Sequence, residues 1–177
     1  MYEAVDIAKW FLIEAKDAHY RLSPTQIIKL CFIAQGIHLA MYDEMLFSNS
    51  CQAWPYGPVI SDIYNRICHY RGHKIRSNEP GILEAQGVHP KDDETQRMLK
   101  NTWEVFKNHT AFQLSKWTHR KGSCWDIAYN QEKGKDTLGY EISAKLIKKD
   151  FKDNVVGRLH QNQARKYRPN DDKFDTD

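Results

Sequence analysis

The sequence predicts a mostly α-helical fold: a single compact helical domain with at most a small β-hairpin or short sheet. Three observations predict it. Apolar residues recur at helical spacing in most segments, helix-start residues precede several of them, and the helical period fades only between Asp43 and Ala53 and in a glycine- and proline-bearing stretch from Lys74 to Pro90. A chain of 177 residues is the size of one ordinary domain.

From Tyr2 to about Tyr20 the stripe Val5, Ala8, Leu12 and Ala15, widened by Ile7 and Phe11, predicts a first helix. A turn at Arg21-Leu22 leads to a second, announced by Ser23 as N-cap, Pro24 at the first helical position and Gln26 completing an S-x-x-Q capping box. Its stripe runs through Ile27, Leu30, Cys31, Ala34, Ile37 and Met41. Short extended pieces are expected at Leu46-Phe47 and Cys51 to Ala53. Pro55 and Pro58 bracket Tyr56-Gly57, and Pro58 is expected to start a third helix carrying Val59, Ile63, Tyr64 and Ile67, ending near Gly72. Helix resumes after Asp92-Asp93, with Met98, Leu99, Trp103 and Phe106 on one side. Phe112 to Thr118 reads as a short helix, Ser123 to Asp126 as the start of another, and Ser143 as the start of the last, which carries Leu146, Ile147 and Phe151. Residues 1–152 are expected to form the domain and 153–177 a charged, partly disordered extension.

Hydrophobic residues at 41%, aromatics at 12% and charged residues at 28% exclude collagen-like, low-complexity and wholly disordered classes. Nothing approaches the ~20 apolar residues of a membrane span, and the N-terminus lacks the basic and cleavage features of a signal peptide. Four dispersed cysteines without a C-x-x-C pair read as reduced thiols, so a cytoplasmic location is expected. The net charge of +3 is unevenly placed. Lys145 to Arg168 carries eight Lys/Arg against two Asp, and Pro169 to Asp177 carries four Asp against one Lys.

Three chemistries are open on residue type. His69 and His73 stand i, i+4, as zinc ligands on a helix would, but Gly72 lies between them and no third ligand stands at a recognised spacing. Cys124 follows His119 by five residues, and a Cys–His pair can make an activated thiolate; packing of a small residue beside Trp125 is the simpler reading. No G-x-S-x-G or phosphate-binding glycine loop is present. No enzyme signature survives, and neither a metal nor an organic cofactor is expected. Arg158, Arg165, Lys166 and Arg168, with Tyr167 beside them, are candidates for a basic arm that docks on an acidic protein surface or touches nucleic acid; the acidic end argues against the second.

Four segments are more specific. They are KLCFIAQGIHLA (Lys29 to Ala40), AWPYGPV (Ala53 to Val59), LSKWTHRKGSCW (Leu114 to Trp125) and YEISAKLIKKDF (Tyr140 to Phe151). In this order they resemble the Panacea antitoxin domain family, the SocA-like or GepA-like phage-associated domain. Lys29, Gln35, Gly36 and His38 match its first motif, Trp54, Tyr56, Gly57 and Pro58 its second, Leu114, Ser115, Thr118, His119 and Trp125 its third, and Ile142, Ser143, Ile147 and Phe151 its last. Cys124 stands where the family often has proline. The resemblance implies a non-enzymatic antitoxin that neutralises a cognate protein toxin encoded nearby by direct binding, or that acts as an adaptor delivering the toxin to a Clp-type protease. It adds Lys29, Gln35, Trp54, Tyr56, Trp117 and His119 to the basic arm as candidate partner contacts. The alternative function is a nucleic-acid-binding or phage-encoded regulatory protein.

Overall fold

The computed structural model describes residues 1–75 and 90–156. Among the described residues are seven α-helices and one antiparallel hairpin, with α2 at the centre. The helices are α1 (Ala4–Asp17), α2 (Pro24–Tyr42), α3 (Ser61–Ile67), α4 (Asp93–Phe106), α5 (Ala111–Thr118), α6 (Cys124–Asp126) and α7 (Ala144–Phe151); the hairpin pairs β1 (Cys51–Trp54) with β2 (Gly57–Ile60). The mostly α fold with a small hairpin is therefore as the sequence predicts.

The local signals explain where elements begin. The Ser23–Gln26 capping box opens α2 with both reciprocal bonds made and Pro24 in the first turn. Asp92 Oδ1 accepts the Thr95 N–H at 2.7 Å, and Thr110, Ser123 and Ser143 cap α5, α6 and α7 in the same way. Replacing Ser23 with Ala should cost about 1 kcal/mol, read as a shift in the urea midpoint at constant slope.

Two expectations need correction. Pro58 does not start a helix. It sits in β2 opposite Ala53, and α3 begins only at Ser61. Extended pairing with β1 wins because Gly57, at φ +103°, reverses the chain straight into the ladder. The other concerns α2, read as carrying one apolar stripe: it is buried on every side, from Ile27 through Leu39, because α1, α4, α5, α7 and β2 all pack on it. Its polar residues must therefore find partners inside the fold.

They do. Gln35, 1% exposed, accepts the Leu46 and Phe47 N–H groups at 2.8 and 3.2 Å and donates to the Phe47 carbonyl at 3.1 Å. His38 Nδ1 lies 2.7 Å from the Glu44 carbonyl. Both hold the loop that leads into β1. Gly36 supplies room: a Cβ there would collide with the Phe151 ring. Past Phe151 the helical chain continues as a wider π turn, Lys152–Val156, with Val155 packed on the core.

Candidate functional site

The hairpin tip is built from below. Pro55 and Tyr56 form its two-residue turn, and Lys29 rises from α2 beneath it. The Lys29 side chain is 2% exposed, and its Nζ donates to the Tyr56 carbonyl at 3.0 Å and the Pro58 carbonyl at 3.1 Å. Burial pulls its pKa down to about 7. On the other side of Gly57 stands the His119 ring, which closes α5. A Cβ at position 57 would strike both Lys29 Nζ and His119 Nε2, so only glycine admits this approach. His119 Nε2 is shielded from solvent without a hydrogen-bond partner, and burial, reinforced by the nearby Lys29 charge, lowers the His119 pKa while the Tyr56 carbonyl opposes the shift.

Rings extend this support outward. His119 stacks on Trp125 at 4.1 Å and 12° between planes, and Trp125 stacks on Tyr129 at 5.0 Å, also at 12°. Trp125 Nε1 donates to the Trp54 carbonyl at 2.9 Å, tying the stack to β1. The free edge of β1 is covered by the segment before α7: the Ala53 N–H donates to the Tyr140 carbonyl and the Ile142 N–H to the Cys51 carbonyl, each at 2.7 Å. The result is a turn gripped from beneath and along one edge, with the Tyr56 side chain 86% exposed at its summit.

Against that geometry the candidate contacts divide into groups. Tyr56 is presented to solvent. Trp54 is half-buried, donating Nε1 to Gln52 and meeting Tyr64 edge-on at 4.9 Å. Trp117 is half-buried between Phe106 and Phe151, with the Arg120 guanidinium 4.5 Å above its ring. Lys29 and Gln35, expected as contacts, are inward-facing braces, since α2 is buried on every side from Ile27 through Leu39. His119 lies under the hairpin. Arg158, Arg165, Lys166 and Arg168 lie outside the described residues.

Sequence reasoning missed the clamp behind this site. Asp150, 5% exposed, accepts from Arg120 Nη2 at 2.5 Å, from the Cys124 N–H at 2.9 Å and from Asn154 at 3.0 Å. In sequence Asp150 looks like one more charge on a solvated face; its period with Ile147 and Phe151 was the available signal. The same carboxylate, after burial itself, pushes the Cys124 thiol well above its ordinary range, an environment that works against the activated thiolate a Cys124–His119 pair would need. Among the described residues no group of three or more His, Cys, Asp or Glu is placed to hold a metal ion, and no helix is long and apolar enough to cross a membrane.

The residues assembled at the tip, from Lys29 to Trp125, fall within residues 27–126, which match the family model described as antitoxin SocA-like, Panacea domain. The chain belongs to the SocA-like Panacea antitoxin family. Antitoxin SocA of Caulobacter vibrioides (strain NA1000 / CB15N) is 27% identical over 158 residues, covering 85% of this chain and 82% of the relative. No solved structure matches significantly. The first three Panacea motifs lie inside the matched region, and the fourth, on α7, lies beyond it. In structural terms the Panacea motifs are one device: the first supplies Lys29 and the braces Gln35 and His38, the second the turn, and the third the His119–Trp125 stack.

Proposed function

We propose that the chain is a non-enzymatic cytoplasmic antitoxin that neutralises a cognate protein toxin by direct binding, and that the hairpin tip is the principal contact. The exposed Tyr56 ring on a turn held from beneath carries the reading. A rigid aromatic presented in this way contributes contact area at little entropic cost, which is the profile of an interface hot spot. Family membership supports the antitoxin role, and the name of the Caulobacter relative agrees with it. The basic arm beyond Val156 adds long-range attraction to an acidic toxin surface.

The test uses the product of the adjacent gene, purified and titrated calorimetrically against the full chain. Tyr56→Ala should weaken binding by about 10- to 100-fold while leaving the melting temperature unchanged, because the side chain is 86% exposed. Replacing Arg158, Arg165, Lys166 and Arg168 together with Gln should weaken binding at low salt and flatten its salt dependence. A second apolar surface, a groove of about 600 Å³ between α2 and α4 that includes Met41 and Val105, serves as the comparison. Unchanged affinity in Tyr56→Ala with loss in Val105→Asp would move the contact to the groove. Growth rescue that disappears in a strain lacking the Clp-type protease would mark delivery to the protease in place of direct blocking. Affinity for nucleic acid that falls steeply with salt would favour the regulatory alternative.

A further inference from the structure

We propose that Lys29 and His119 carry a single positive charge between them beneath Gly57, and that this charge is the positioning element that sets the hairpin tip. The observations are geometric. Lys29 Nζ is spent on two backbone carbonyls of the turn, those of Tyr56 and Pro58, and among the described residues no carboxylate pairs with it. Its neighbour across Gly57 is an imidazole nitrogen that is buried and unpartnered.

Two protonated groups side by side in a desolvated site without a counter-ion repel, so the pair titrates as one unit. Lys29 comes from α2; the hairpin presents only backbone carbonyls; α5 ends in His119; the segment behind presents the Trp125 and Tyr129 rings. Asp150 on α7 is already committed to Arg120 and the Cys124 N–H. Among the described residues nothing facing the pair can neutralise a second charge.

Loss of the charge replaces the two charge-assisted bonds on the Tyr56 and Pro58 carbonyls by weaker neutral ones. The tip is gripped hardest while the charge is present and loosens as it leaves near neutral pH, consistent with the lowered Lys29 pKa. Lys29 and His119 thus act through Tyr56 on recognition, a consequence that rests on the proposed toxin contact.

The measurement needs only the full chain, labelled for nuclear magnetic resonance and titrated from pH 5.5 to 9. The Gly57 amide and the His119 ring should inflect with one common midpoint near neutral. In Lys29→Met the Gly57 inflection should vanish and His119 should titrate at higher pH. Should that variant not fold, His119→Gln serves: it should displace the Gly57 midpoint by about half a pH unit or more. A flat Gly57 amide in the wild type, separate midpoints for the two probes, or a Gly57 inflection unmoved by these substitutions would overturn the assignment. A common midpoint in a chain that binds no adjacent-gene product would uphold the shared charge and sink the toxin-contact reading instead.

Discussion

Stability is expected to peak near pH 8.5 and then fall by about 3 kcal/mol per pH unit, with different side chains responsible for the two limbs. Lys29 makes the rising limb. Its folded pKa, about 7, lies below its unfolded value of 10.5, so between these limits the unfolded chain holds the extra proton and stability grows with pH at ~1.4 kcal/mol per unit. Three buried thiols make the falling limb. Burial raises Cys31 and Cys124 well above 9 and Cys51 to about 12, so above pH 9 the unfolded chain releases three protons that the folded chain keeps. Three thiols outweigh one lysine, and the net slope turns negative at ~1.4 kcal/mol for each excess proton. Urea denaturation from pH 6.5 to 10.5 in reductant gives the profile directly. Lys29→Met should erase the rising limb and keep the fall, while Cys51→Ala should make the fall shallower by about a third of the thiol contribution. A profile that goes on rising from pH 9 to 10.5 would show that the thiols are not protected, because Lys29 alone then sets the slope.

Much of this fold is legible because its helix starts are written in short-range chemistry. Ser23-Pro24 with Gln26, Asp92 and Ser143 cap the helices they announce, and capping depends on neighbours within four residues. The misread positions are those decided by distant partners. Pro58 has the sequence context of a helix start, but strand pairing to Ala53 and the Lys29 bond to its carbonyl settle it as extended. Lys29 and Gln35 look like surface residues on a stripe count, since nothing local announces that α2 is surrounded. The candidate site was legible as motifs but not as a device. Resemblance brought Lys29, Tyr56, Gly57, His119 and Trp125 onto one list, and only the fold shows that Gly57 is the gap through which Lys29 and His119 meet. Asp150 shows locally only as a charge in period with Ile147 and Phe151 inside a lysine-rich run, and the partner that explains its burial, Arg120, lies thirty residues away.

Phe151→Ala is expected to cost about 3–5 kcal/mol, near the upper end for a single truncation. The Phe151 ring is fully buried, meets Phe32 edge-on at 5.9 Å and Trp117 at 5.7 Å, and fills the slot left by Gly36. Removing it leaves a cavity walled by a central helix that is packed on every side, so little can collapse into the space. The partner substitution shows whether the slot is the reason. Gly36→Ala alone should destabilise by about 1–3 kcal/mol through overpacking against the ring. In the Phe151→Ala background the same change should cost far less, because the added methyl then enters an empty space. A double-mutant cycle by chemical denaturation reads this coupling, and strict additivity would show that Gly36 and Phe151 do not share one contact. The result bears on more than the core. Phe151 lies beyond the matched residues 27–126, on the helix whose Asp150 clamps Arg120 and the Cys124 N–H behind the tip. If Phe151→Ala loosens α7, the same variant should also weaken toxin binding, whereas Tyr56→Ala should weaken binding alone. A Phe151→Ala protein with unchanged stability would place α7 outside the domain core and remove the support it is assigned here.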